Sequence, residues 1–439
     1  MKYFLCFYLI ISVILSNDQI PGLEQKRPIL LRGGVLHTVS GDVLEGYDLL
    51  FANGKIVTIG EGIQPSPDTD VYDIHKKHVV PGYIAPLTQL GLVEIGAVKQ
   101  TRDYSEVGDI NPNVRANSSY NPDSELIPVT RSNGVLIANA VPLSGLIAGQ
   151  SSCMMMDGWT WEEATLNHPT ALHLNWPNMR INFRKTAKKN EKQQREVYQN
   201  LLRNLDQLIR DTKAYHTRTT QKERKAEHKQ ETDLRLEALV PYFVEQKKII
   251  VRADDIRQIK AAVIWADKYN FKITISGGKD AWRIPDLLVK HNIPVILQHV
   301  QTIPRRRFEP IHTPYKTPAI LFKEGVKFCL STDQGYPFNG HVRTLPNEAM
   351  RAAAWGLSKS EALRSITLST AEILGVDKRV GSLDPGKDAT FFISNNPPLQ
   401  ITTNPVKAYI MGREVDLSDR QKMLYKKYKE KYRRQGQLE

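Results

Sequence analysis

The stretch that decides the fold is Val79-Val80-Pro81-Gly82-Tyr83-Ile84-Ala85-Pro86-Leu87-Thr88-Gln89-Leu90-Gly91. Its apolar run places a buried strand near Val80–Ile84, opened by a Pro-Gly turn, with Leu87 and Gln89 at the far end. Before it, residues 28–80 hold short strands and a hairpin signal, Leu49-Leu50-Phe51-Ala52-Asn53-Gly54-Lys55-Ile56-Val57, in which Asn-Gly supplies the positive φ angles of a two-residue turn. With 439 residues, 41% of them hydrophobic, the chain has ample material for one large domain or two modest ones.

The first residues form a separate object. Lys2, the apolar run Tyr3–Leu15 and the small-residue exit Ser16-Asn17 read as a secretory leader over residues 1–16. The run is too short for a spanning helix, which needs ~20 residues. Export leaves Cys153 and Cys329, read as buried small hydrophobes rather than as a disulfide.

The net charge of +13 suggests an anionic partner, but its location argues against nucleic acid. Residues 184–235 carry 15 Lys/Arg against 8 Asp/Glu, and residues 420–439 carry 8 against 2, which together make up the whole excess. The first of these segments reads as an inserted helical pair, over one barrel face or as a lid. The second reads as an exposed terminal helix laid along the rest of the fold, or one that touches anionic lipid or a partner.

Near the C-terminus come Phe328-Cys329-Leu330-Ser331-Thr332-Asp333, helical stretches over 347–355 and 358–374, then Val380-Gly381-Ser382-Leu383-Asp384-Pro385-Gly386-Lys387-Asp388-Ala389-Thr390 and Val406-Lys407-Ala408-Tyr409-Ile410-Met411-Gly412-Arg413-Glu414-Val415. With the opening stretch, this ordered set resembles the amidohydrolase superfamily over most of residues 27–416. Gly91-Leu92-Val93-Glu94-Ile95, Arg102-Asp103-Tyr104-Ser105-Glu106, Asn111-Pro112-Asn113-Val114-Arg115 and Asn121-Pro122-Asp123-Ser124-Glu125 are similar to a bacterial imidazolonepropionase-like group.

The resemblance implies an α/β fold: a (β/α)8 TIM barrel over 81–379 with a helical insertion at 184–246. A small composite β-sandwich is expected from 28–80 plus 380–416, and a basic helix from 417–439. The eight strands, expected parallel, lie near Val80–Ile84, Val135–Val141, Ser152–Met156, Ala171–Trp176, Ile249–Ala253, Lys272–Ser276, Pro294–His299 and Lys327–Asp333.

Catalytic side chains in such a barrel come from the C-terminal ends of the strands. The superfamily places His-x-His after strand one, Lys or Glu on strand four, His after strands five and six, and Asp after strand eight. Here those places hold Leu87 and Gln89, Leu172-His173-Leu174 with His173 pointing opposite to its neighbours, Arg252, Ser276-Gly277-Gly278, and Asp333. A catalytic zinc needs three protein ligands, and one carboxylate does not supply them. No cofactor is therefore expected; weakly bound zinc or another divalent metal, with help from Gln89, His299 or His341, stays open.

Arg252 is the candidate replacement, a permanent cation able to stabilise an oxyanion through two parallel donors, with Asp333 as general base. The competing reading is a structural Arg252–Asp333 ion pair filling the emptied cavity. Glu94, Arg102, Asp103, Glu106 and Arg115 in the loop after strand one, with His299 and His341, are candidates for binding a small polar substrate. A self-satisfied loop network would look the same in sequence.

The expected activity is hydrolysis of a non-peptide carbon–nitrogen bond in a small amide or cyclic amide by an exported, periplasmic or secreted protein. It has no nucleic-acid partner and no transmembrane segment once the leader is removed; a homo-oligomer stays open. The alternative is a catalytically inactive relative acting as a periplasmic ligand-binding or partner protein.

Overall fold

The computed structural model describes residues 19–184, 186–223, 232–332 and 338–437. The leader and Asp333 lie outside the described residues.

The first sheet is built from both ends of the chain. Strands β1 (Ile29–His37), β2 (Val43–Ala52), β3 (Lys55–Gly60), β4 (Asp70–Asp73) and β5 (His78–Pro81) come from the N-terminal part. They form one continuous eight-stranded sheet with β14 (Phe391–Ser394), β15 (Pro405–Ile410) and β16 (Arg413–Val415), in the order β16-β15-β14-β5-β1-β2-β3, with β4 beside β1. The β2–β3 turn has Asn53 at φ 52° and Gly54 at φ 74°, the conformation that the Asn-Gly pair favours. The sheet curls over its own core: the Phe51 ring on β2 meets Phe391 at 5.4 Å and Tyr409 at 5.0 Å between centroids, although two strands separate β2 from β14 in the sheet order.

The second sheet is the barrel. Its strands are β6 (Tyr83–Thr88), β7 (Val135–Ala140), β8 (Ile147–Met155), β9 (Thr165–Asn175), β10 (Ile249–Ala253), β11 (Ile273–Gly277), β12 (Val295–Gln298) and β13 (Phe328–Ser331), neighbours in chain order. Strands β14, β15 and β16 then return to the first sheet. Among the described residues β13 comes back against β6 without a hydrogen-bonded ladder, so the barrel is nearly closed.

The barrel is not wholly parallel. Strand β8 runs antiparallel to both β7 and β9, which corrects the expectation of eight parallel strands. The expected third strand at 152–156 begins five residues earlier, at Ile147, and so leaves only residues 141–146 after β7. A parallel crossover needs about a dozen residues or more, so that connection can only turn the chain back.

The helix Glu191–Glu223 is a wall of the barrel rather than a lid. Its buried Leu205 and Ile209 pack with Leu172 and Leu174 of β9, Ile249 of β10, and Trp265 and Phe271. Asp206 ties it to the end of the helix Ile256–Tyr269, accepting from Lys268 Nζ at 2.9 Å and Tyr269 OH at 2.8 Å. Its charged face is solvated, and its apolar stripe covers strands that would otherwise be exposed.

This packing fixes which side chains face the lumen. Leu172, Leu174 and Ile249 point outward, so by strand alternation His173, Asn175, Ile250 and Arg252 point inward. Cys153 and Cys329 are both buried and free. Among the described residues no helix is long and apolar enough to cross a membrane.

Candidate active site

The barrel mouth carries a narrow cleft on the side of β11 and β12, lined among others by Gly277, Lys279, Trp282, His299 and Arg305. Two connections form its walls. The segment after β12 is clamped onto the one after β11 by Arg306, which donates to Asp280 Oδ1 at 2.8 Å and Oδ2 at 2.7 Å and to Glu309 Oε1 at 2.6 Å. Asp280 is fully buried and also accepts Ile256 N at 3.0 Å, so a single carboxylate joins three strand-end segments. Its charge holds the Arg306 guanidinium above its ordinary pKa.

His299 sits directly after β12 at φ 53°, with its N–H on Ser331 O of β13 at 2.8 Å. Its Nδ1 lies 3.1 Å from Glu348 Oε1, and the other oxygen of Glu348 accepts Val300 N at 2.9 Å and Gln301 N at 3.4 Å. Glu348 is 3% exposed and lies on the helix Leu345–Ala354, on the same buried stripe as Leu345, Ala349 and Ala352. A buried carboxylate on Nδ1 fixes the ring and favours the tautomer with the proton on Nδ1. Sequence reading missed Glu348. The available signal was a glutamate among apolar positions at helical spacing, where charge is found only with a partner.

Arg252 closes β10, in register with Asn175 of β9 and Ser276 of β11. It points to the lumen side and is exposed to solvent at the mouth; its carbonyl accepts Trp176 N at 3.1 Å, while its guanidinium makes no hydrogen bond or ion pair among the described residues. Asp254 follows it, and its Oδ1 is buried without a hydrogen-bond partner. His173 lies deeper on β9, its Nε2 likewise buried without a partner, and burial pushes its pKa down to about 3.

The remaining candidates are not brought to this cleft. Glu94 is held within its own loop by Asn121 Nδ2 at 3.3 Å and Ser124 Oγ at 2.9 Å, and burial raises its pKa. Arg102 is half-buried in that loop, and Asp103 and Glu106 are exposed on it. Arg115 pairs through its backbone with Gln150 of β8, and its charge adds to the burial that lowers His168 to about 4. His341 is exposed in the turn Phe338–Thr344.

Among the described residues the donors of the metal centre that the resemblance implies are not brought together. Leu87 and Gln89 are wholly buried, with Gln89 Nε2 3.3 Å from Val141 O. At Gly277, with φ +89°, even a Cβ would stand 2.5 Å from Asp254 Oδ1, so the place of the sixth-strand imidazole is taken by a carboxylate from the neighbouring strand end. Among the described residues no three His, Cys, Asp or Glu side chains come together as a possible metal cluster.

Comparison with known proteins agrees with the architecture. Residues 211–415 match the model of the amidohydrolase family. No curated protein matches the chain in sequence. Among solved structures, an amidohydrolase from Thermotoga maritima MSB8 is 24% identical with a TM-score of 0.77, over 88% of this chain and 99% of that one. Molinate hydrolase is 13% identical with a TM-score of 0.54, over 90% and 96%. Phenylurea hydrolase B is 13% identical with a TM-score of 0.53, over 89% and 97%. At these identities the structural likeness speaks for the fold, and residues 211–415 are similar in sequence to the amidohydrolase family.

Proposed function

We propose that the protein hydrolyses a non-peptide carbon–nitrogen bond in a small amide or cyclic amide, without the superfamily's usual metal centre. The observation that carries this reading is Arg252, a permanent cation on the lumen side of a strand end, with no ion pair among the described residues. In the reaction it donates two hydrogen bonds to the carbonyl oxygen as that oxygen gains charge. Removing one such donor typically costs about 10²–10³ in rate.

Asp333 takes the proton of the attacking water. His299, oriented by Glu348 and lining the cleft, contacts the polar end of the substrate.

The test is a panel of small amides, lactams and cyclic ureas, run with and without a chelator on metal-analysed protein. The expected result is a substrate whose turnover survives chelation and falls at least a hundredfold in Arg252→Met and Asp333→Asn, with folding intact. Stoichiometric zinc, manganese or iron that is needed for turnover overturns the metal-free reading. A panel without turnover by well-folded protein favours the inactive-relative alternative.

A further inference from the structure

The C-terminal helix Arg420–Arg434 is the one long element of the described residues that buries none of its own side chains. It meets the rest of the fold at the helix Leu126–Arg131. It is held only at its root: Asp419 caps it, accepting Lys422 N at 2.9 Å, and Lys422 Nζ returns to Leu417 O at 2.7 Å. Beyond that root its side chains stand in solvent, and they are not arranged at random. Leu424, Tyr428 and Tyr432 repeat at a spacing of four and Tyr425 lies beside them, so the four share one face; they are 42%, 49%, 40% and 67% exposed.

Basic residues rim this stripe. Lys427 and Lys431 border it on one flank and Lys429 on the other, and Lys431 lies over the Tyr428 and Tyr432 rings at 5.8 and 5.6 Å. Glu430 is the only acidic residue of the helix, and it is consumed by Arg433 and Arg434. An exposed apolar and aromatic stripe between lysine rows is the pattern of a helix lying flat in a headgroup layer, with rings at the acyl boundary and ammonium groups among phosphates.

A second observation points the same way. Gln19, the first described residue, follows the apolar run Tyr3–Leu15 in sequence, and its side-chain amide donates to Ser418 O at 2.6 Å and Ser418 Oγ at 2.8 Å. The chain therefore enters the fold at the root of this helix. Before the leader is removed, a bilayer that engages it would meet the protein on the helix's side.

We infer that the helix Arg420–Arg434 docks the protein on an anionic phospholipid surface through the Leu424–Tyr425–Tyr428–Tyr432 face and its lysine rims. A single-stranded nucleic acid would use the same charge and could stack on the tyrosines, so its capture is an outcome of the test.

The test is co-sedimentation of the full chain with phosphatidylcholine vesicles, with and without phosphatidylglycerol, at low and high salt. Binding is expected only to the vesicles with phosphatidylglycerol, weakened by salt. Lys427→Gln and Lys431→Gln should each reduce affinity about fivefold, the equivalent of about 1 kcal/mol per basic residue near an anionic surface. Leu424→Ser with Tyr428→Ser should reduce it further while leaving the salt dependence in place. Neither change touches a buried position, so folding is not at issue. Binding to neither vesicle, equal binding to both, a serine variant that binds as wild type, or capture of single-stranded DNA in place of vesicles each overturns the assignment.

Discussion

Glu348 and His299 form a buried-to-solvent pair: the carboxylate is 3% exposed and reaches from the helix Leu345–Ala354 to an imidazole at the floor of the cleft, 3.1 Å away. The same carboxylate accepts two backbone N–H groups of the segment after β12. Its loss would therefore release the ring and the start of the cleft wall together.

Glu348→Gln keeps the shape but gives up the charge that fixes the tautomer. If His299 contacts substrate as proposed, the variant should raise KM or lower kcat about tenfold, by analogy with partners that orient metal-bound histidines. Glu348→Ala should in addition lower stability by about 1–3 kcal/mol, because buried donors lose their acceptor. Urea unfolding beside steady-state kinetics separates the two effects. A glutamine variant unchanged in both would show that the pair does not orient a working residue.

Acid should unfold the protein from well above the carboxylate range. His173 is held down to about 3, and His37 and His168 to about 4, in each case chiefly by burial. The unfolded chain takes up these protons near pH 6.5 and the folded chain does not. Stability is therefore full above about pH 6.5 and is lost as pH falls towards 4, by up to about 1.4 kcal/mol per pH unit for each histidine. Glu94 and Asp157, raised by burial, oppose part of this. Melting temperature followed from pH 7 to about 4 should decline, and His173→Gln should flatten the decline. A flat profile in the wild type would show that these histidines are not kept neutral by the fold.

Restoring an imidazole at position 277 should not restore a metal centre. Gly277→Ala already asks for a Cβ 2.5 Å from Asp254 Oδ1 at a positive φ, and should cost about 1–3 kcal/mol. Asp254→Ala should relieve part of that cost, so the two changes together should be less harmful than their sum, as read by a double-mutant cycle in urea. Strict additivity would place the collision elsewhere.

Much of the architecture was legible because burial writes it directly into the chain. The apolar run ending at Leu87 and Gln89, the Asn53-Gly54 turn and the paired strands over 405–415 all stand where sequence reading expected them, within a few residues, whereas 380–390 forms no strand and the return strand starts at Phe391. The direction of β8 was not read, because the strand was given too few residues at its start and the length of its connection was misjudged with it. The long helix hid its role behind charge, since Leu205 and Ile209 are a narrow stripe in a polar segment. At the mouth, the strand-end positions of Arg252 and His299 were legible. Glu348 and Asp280 were not, because each acts on a segment far from it in sequence.

The Arg306–Asp280 clamp should be worth more than a surface ion pair. Arg306→Met removes charged hydrogen bonds to a fully buried carboxylate, and about 1.5–3 kcal/mol of stability should go with them. Proteolysis between residues 300 and 312 should accelerate in the variant, while the sheet of residues 29–81 and 391–415 stays protected. Equal cleavage of variant and wild type would mean that the wall of the cleft is held by something other than this pair.

The reversed strand β8 also bears on how the chain finds its fold. Strands β7, β8 and β9 form a meander over residues 135–175 in which each strand pairs with the next across a connection of residues 141–146 or 156–164, the latter holding the helix Trp161–Ala164, whereas β9 and β10 are joined by residues 176–248. Closing short loops costs little chain entropy, and pairings local in sequence form early. The meander can therefore assemble as a unit before the long helix arrives to cover it. In a barrel made only of crossovers no three consecutive strands have that option, so here the wall with the fewest helices of its own is the one best placed to serve as the template for the rest.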